Sequence, residues 1–186
     1  MVADAKQTAK KQVIMMKRLY QNLIPNEAII PTSYTANTYQ LEGKTIQIIP
    51  KLTGDISPST AYYIPSIKTM IAGDLVYNNL HPWTLDTNNE ERKHWIKSLK
   101  TLQTYQPKIV IGGHKDKTQP DNADTLVFMI DYLTQFNQAI KELATAGEVI
   151  ARMKQLFPTA KKSGMLRIGA KKNKGEKFSF MEMFGK

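Results

Sequence analysis

The apolar positions of the chain change period several times. Over residues 4–23, Val13, Met16, Leu19, Tyr20 and Leu23 recur at spacings of three and four with lysines on the other face, which predicts a helix stopped by Pro25. The run "TYQLEGKTIQIIP" predicts a hairpin, two β-rich segments joined around Glu42, Gly43 and Lys44. "LTGDISPS" then reads as a loop. "TAYYIP" and "SIKTMIAGD" predict two short strands parted by Pro65, which suits an edge or a break better than a central strand.

The helical period returns in "DTNNEERKHWIKSLKTLQTY", with Asp86 or Thr87 as the expected cap and Trp95, Leu99 and Leu102 on one stripe. Pro107 ends that helix, and "KIVIGGH" is a short apolar run expected as a buried strand. Strand, helix and strand in this order make a right-handed crossover with the two strands parallel. From Asp121 onward, Leu126, Met129, Leu133, Phe136, Ile140 and Leu143 form a long stripe, and Gly147 is expected to interrupt it before "EVIARMKQLFP". Tyr132 lies opposite that stripe and is assigned a structural role. The remainder is basic and glycine-bearing, with one apolar patch, "GMLRIGA", and its last dozen residues are expected to be loose.

Composition narrows the chemistry. With 186 residues and 41% apolar content the chain is expected to be one domain with a real core. Cysteine is absent, so disulfides, thiolate metal sites and cysteine nucleophiles are excluded, and any metal has to be held by histidine and carboxylate. The formal charge of +10 sits at the two ends, with residues 19–159 balanced. Because the lysines are interleaved with aromatic residues only at Phe178, Phe180 and Phe184, solvated helix faces and a lysine-rich tail are favoured over a nucleic-acid surface. "QVIMM" after Lys6, Lys10 and Lys11 is too short for a secretory signal, so the expected location is cytoplasmic, and no run approaches the roughly 18 apolar residues of a membrane span.

Candidate chemistry gathers where the two parallel strands end. Asp74 closes "MIAGD" and His114 closes "VIGGH", each after a glycine, and the carboxyl ends of parallel strands share the sheet edge where ligands usually sit. Spacing alone leaves Asp74 either a metal ligand or a turn residue. His81 precedes Pro82 and Trp83 as a packed loop residue or a functional one, and His94 lies on a charged helix as a surface residue. No serine stands in a nucleophile elbow, and there is no glycine-rich phosphate loop.

"PSIKTMIAGDLVYNNLHPW", the Trp95 helix and "PKIVIGGHKD", continued by "DYLTQF" and "SGMLRIGAK", resemble the second half of a metallo-β-lactamase-fold hydrolase over residues 30–172. The resemblance implies an α/β fold: half of an αββα sandwich, a mixed sheet with flanking helices. It implies one domain over residues 1–172, with residues 1–25 as a leading helix and 173–186 as a basic, flexible tail. It implies zinc as cofactor, with Asp74 bridging two ions, His114 binding the second, and His81 on the substrate side.

The His-x-His-x-Asp-His run that supplies most ligands in such hydrolases is not in this sequence, and Gly54 or Asp55 stands near the place where they often carry another histidine, with Asp55 read as a loop acid in preference to a weak substitute ligand. A catalytic zinc takes about three protein ligands, and Asp74 with His114 gives two. The expectation is therefore a truncated or split hydrolase, inactive alone. Its alternatives are a complementing half of a two-chain enzyme or a basic interaction or nucleic-acid-binding module.

Half a sandwich also leaves a sheet face bare. Ile46, Ile48, Tyr62, Ile64, Ile67, Ile71 and Val110 have to divide between two faces. A homo-oligomer, or a chain supplying the first half, is the expected partner.

Overall fold

In the computed structural model, which describes residues 2–30 and 32–184, the predicted hairpin opens the sheet. β1 (Thr38–Leu41) and β2 (Lys44–Leu52) pair antiparallel across Glu42 and Gly43, whose φ angles of 49° and 73° give the left-handed turn a tight hairpin needs. β3 (Ser59–Ile64) and β4 (Thr69–Asn78) follow antiparallel, and Pro65 opens a 3-10 turn, Pro65–Ile67, between them. The proline thus marks a break, as its missing N–H requires.

The crossover forms as the periodicity predicts. α2 (Asn89–Gln103) leads from β4 to β5 (Ile109–Lys115), and these two strands pair in parallel. Sheet order is β1-β2-β3-β4-β5, so β5 is an edge strand, where the apolar run had suggested a buried one. Only Val110 of its isoleucine-rich segment is buried, while Ile109 and Ile111 stay exposed, because a strand with a single neighbour and one covered face has little to bury against. A second correction concerns β4: it does not end at Asp74 but bulges at Gly73 and continues to Asn78.

Helix ends follow local hydrogen bonding. α2 is capped by Asn88, not by Asp86 or Thr87, because Asn88 and Glu91 form a reciprocal capping box while Asp86 accepts from Trp83 and Thr87 donates to Thr84. The long stripe forms α3 (Asp124–Glu142) and stops at Leu143. A second capping box, Thr145 with Glu148, starts α4 (Ala146–Leu156), so Gly147 lies inside the new helix instead of breaking the old one. "GMLRIGA" belongs to a further helix, α5 (Ser163–Asn173).

Two cores share α3. Its Leu126, Met129 and Leu133 join Trp95, Leu99 and Leu102 of α2 against Met70, Ala72, Leu75 and Val76 of β4. Each of the larger side chains among them contributes about 2 kcal/mol of transfer free energy. The other face of α3, with Tyr132, Phe136 and Ala139, packs on Val149 and Met153 of α4 and Leu166 and Ala170 of α5. Tyr132 therefore organises a core of its own. Beside it lies His81, 1% exposed, whose Nδ1 is 2.8 Å from the Tyr132 hydroxyl.

A buried arginine ties three helices together. Arg92 of α2 is fully enclosed, and its guanidinium donates to Asn137 of α3 (2.5 Å), to Asn173 at the end of α5 (2.8 Å) and to the Thr87 carbonyl (2.6 Å). It also lies 5.1 Å from the centre of the Phe136 ring. Burial pulls its pKa down to about 10, and the nearby Glu91 carboxylate offsets part of that.

The opposite face of the sheet carries an apolar row. Ile48, Tyr62, Ile71 and Ile111 stand in register across four strands, and Ile46, Ile64 and Ile109 share their face by alternation. Tyr62 (41%), Ile71 (38%) and Ile111 (39%) remain exposed, whereas Val110 points into the core and Ile67 sits in the 3-10 turn.

The chain divides into two units, Met1–Ala36 and Asn37–Lys186. In the first, α1 (Val2–Tyr20) continues into the 3-10 turn Gln21–Leu23. Met16, Tyr20 and Leu23 of its expected apolar stripe are exposed, and the Leu19 side chain lies outside the described ones. Lys17 donates to Asn26 at 2.6 Å. In the second unit, the stretch after Asn173 returns to α5: Arg167 donates to the Glu182 carbonyl, and Lys171 pairs with the Glu182 carboxylate at 2.7 Å. Residues 185–186 of the expected tail lie outside the described residues. Among the described residues no helix is long and apolar enough to cross a membrane.

The two buried polar groups set how the fold responds to acid and to substitution. Burial, helped by the Lys154 charge, pushes His81 from 6.5 down to about 4, so the unfolded chain binds the extra proton between those values. Stability is complete above pH 6.5 and falls as the pH drops towards 4, by about 3 kcal/mol in all. Urea unfolding of the parent and His81→Phe across this range should show that slope only in the parent. Arg92→Lys keeps the charge but cannot reach three acceptors at once, and should cost about 3 kcal/mol in the same assay.

Candidate functional site

Glycines let the two parallel strands meet closely. A Cβ on Gly112 would lie 2.6 Å from the Val76 carbonyl oxygen, and one on Gly113 would lie 2.3 Å from a carboxylate oxygen of Asp74. Gly73 turns the chain there at φ 53°. The space that these residues leave is filled by the Asp74 side chain.

The sequence-predicted pair therefore assembles. Asp74 Oδ1 lies 3.3 Å from His114 Nε2, and both side chains are about half exposed. The His114 ring stacks on Tyr77 with centroids 4.6 Å apart and planes 22° from parallel. Tyr77 is held from behind, edge-on to Trp95, whose indole N–H donates to the Leu75 carbonyl at 2.9 Å.

Asp55 is the fourth member. It lies in the loop between β2 and β3, is 8% exposed, and accepts the Tyr77 hydroxyl at 2.5 Å. Its other oxygen is buried without a hydrogen-bond partner. Burial raises its pKa above the ordinary aspartate value. The Tyr77 hydrogen bond opposes that rise, the Asp74 charge adds to it, and the Ile56 amide and His114 exert lesser lowering pulls. The Tyr77 phenol is pushed well above its usual value, first by burial and then by the Asp55 carboxylate.

The other histidines stand apart from this rim in character. His81, expected on the substrate side, is enclosed against Tyr132 and offers almost no surface to a ligand. His94 is exposed on α2. Sequence reasoning missed Tyr77. It stands three residues after Asp74, and nothing in an apolar strand pattern says that its hydroxyl reaches back to a loop acid 22 residues earlier.

Whether these residues suit zinc is decided by the donor set. Asp74 and His114 supply two donors, and Asp55 has one oxygen committed to Tyr77. Among the described residues no group of three or more histidine or carboxylate side chains is placed to hold a metal ion. Three protein donors are the usual minimum for a catalytic zinc. By themselves these residues do not fit the ion.

No family model matches the sequence, and no curated protein matches it. Solved structures do. A metallo-β-lactamase family protein from Thermus thermophilus is 14% identical with a TM-score of 0.54, covering 91% of this chain and 57% of its own. A stereoselective inverting sec-alkylsulfatase from a Pseudomonas species is 14% identical with a TM-score of 0.50, covering 80% of this chain and 27% of its own. A metallo-β-lactamase from Pontibacter korlensis is 20% identical with a TM-score of 0.44, covering 64% and 54%. The chain spans about half the length of the metallo-β-lactamase structures that it matches. Its five-stranded mixed sheet with flanking helices is a metallo-β-lactamase-like fold.

Proposed function

We propose that this chain is the second half of a metallo-β-lactamase-type, zinc-dependent hydrolase, truncated or split, and that it is inactive alone. The observation that carries this reading is the Asp74–His114 pair, 3.3 Å apart across the neighbouring parallel strands β4 and β5 of a metallo-β-lactamase-like sheet. In this reading the two side chains are the zinc ligands that this half contributes, and the remaining donors come from a separate first half or were lost. What the present residues do is hold one carboxylate and one imidazole at fixed separation, with Tyr77 orienting the ring.

The row of half-buried Ile48 and exposed Tyr62, Ile71 and Ile111 supports a partner on the outer sheet face, either a second copy or a chain carrying the first half. Contiguous apolar surface of this kind usually marks an interface.

Zinc retention and turnover test the reading. The purified chain should keep less than one equivalent of zinc through gel filtration and show no chelator-sensitive hydrolysis of ester, lactam or sulfate-ester substrates. Co-expression with a polypeptide carrying the His-x-His-x-Asp-His run should yield a complex that retains zinc, and Asp74→Ala or His114→Ala should weaken retention at least about tenfold. Robust chelator-sensitive turnover by the chain alone would refute the proposal. Sedimentation of the chain at micromolar concentration should reveal self-association that Ile71→Lys with Ile111→Lys abolishes at unchanged helix content; a monodisperse parent monomer that binds no apolar dye contradicts the interface.

A further inference from the structure

The outer sheet face and the Asp74–His114 pair are one continuous surface. Along β5, Ile109 and Ile111 point outward and Val110 into the core, so by alternation Gly112 faces the core and Gly113 faces outward. The close approaches agree: a Cβ on Gly112 would meet the buried Val76, and one on Gly113 would fall on the Asp74 carboxylate. That carboxylate therefore lies over Gly113, beside Ile111, at the carboxyl end of the apolar row. A second row crosses the five strands next to the first, from Tyr39 of β1 to Ile109 of β5, and neither row contains a charged residue.

Each chain carries half of a closed metal site. Asp74 Oδ1 and His114 Nε2 are 3.3 Å apart, and both side chains are about half exposed. Two donors bound at about 2.0–2.1 Å to a tetrahedral ion stand about 3.3 Å from each other, so the pair already has the separation of neighbouring zinc ligands. Among the described residues of the chain, no third histidine or carboxylate is placed to join them. A closed zinc site takes four donors. Two copies of the pair supply two carboxylates and two imidazoles.

We propose that a second copy of this chain packs on the outer sheet face and that the two Asp74–His114 pairs share one zinc ion across the contact. The inference rests on the reading above that these side chains are zinc ligands. A two-fold contact sets the same patch of each copy against itself, so an axis running beside the pair brings it to its own mate. Packed sheets lie about 10 Å apart, which puts an ion on that axis about 5 Å from either sheet, within reach of a carboxylate and one bond of about 2 Å. Charge favours this occupant. The chain carries +10, so two copies repel across most of their surface, and the uncharged rows are where they meet without opposing like charges. The two Asp74 carboxylates are the exception, and a cation between them turns that repulsion into attraction. Four protein donors leave no open position for a water, in keeping with the proposed inactivity of the chain alone.

The test is sedimentation velocity of the full chain at micromolar concentration in zinc acetate and in EDTA, with native mass spectrometry for stoichiometry. Zinc should tighten the dimer about tenfold or more, at one ion per two chains. Asp74→Ala and His114→Ala, at half-exposed positions, should each lose the zinc effect at unchanged helix content, and Ile71→Lys should weaken the dimer with zinc or without it. A dimer constant that zinc does not move, one ion per single chain, variants that respond to zinc as the parent does, or a chain that stays monomeric throughout would each overturn the proposal. A chain that is monomeric on its own and retains zinc through Asp74 and His114 only in complex with a polypeptide carrying the His-x-His-x-Asp-His run would overturn it too, while leaving the reading of the pair as zinc ligands in place.

Discussion

The close approach of β4 and β5 at Gly112 and Gly113 is the constraint on which the site depends. Any side chain at Gly113 would stand where the Asp74 carboxylate now lies, and one at Gly112 would press on the Val76 backbone. Without these two gaps the strands cannot carry Asp74 and His114 to a common edge at 3.3 Å. Tyr77 completes the arrangement from below, with its ring under His114 and its hydroxyl on Asp55. One strand, β4, thus supplies both the carboxylate of the rim and the support of the imidazole opposite it.

The rim holds too few donors for a metal, yet more acid than a solvated turn would carry. Asp55 stands near the place where the resembling hydrolases often carry another histidine, but here its carboxylate is drawn into the protein by a phenol and shut away from water on its other oxygen. A carboxylate in that position feels the Asp74 charge as repulsion. Carboxylates thus gather both at the rim and along a cavity beside it.

Support for the rim comes from behind, through packing in two layers. α3 faces the sheet with one side and α4 and α5 with the other, so its aromatic residues serve a second core that the stripe pattern alone had not assigned. Arg92 joins α2, α3 and α5 at one point by giving its donors to side-chain amides and a backbone carbonyl. A buried cation held by neutral acceptors at Nε and Nη1, with its Nη2 buried without a partner among the described residues, loses solvation without gaining a full ion pair. Its contacts fix α2, α3 and α5 at one point.

Local signals were legible in the residues: the Glu42–Gly43 hairpin turn, the Pro65 break, the stripes of α2 and α3, the strand-helix-strand crossover, and the placement of Asp74 and His114 at one edge. These depend on neighbours within a few residues or on a topological rule, so the sequence by itself determined them. The capping of α2 by Asn88 was also written locally, in the Asn-x-x-Glu spacing, and was misassigned to the residues just before it. What only the tertiary structure decided is set by long-range geometry: that β5 is an edge, that β4 runs past Asp74, that His81 is enclosed by Tyr132 and that Tyr77 holds Asp55. Each depends on which surfaces meet across the fold, and a side chain's burial and hydrogen-bond partner are properties of that meeting, not of its place along the chain.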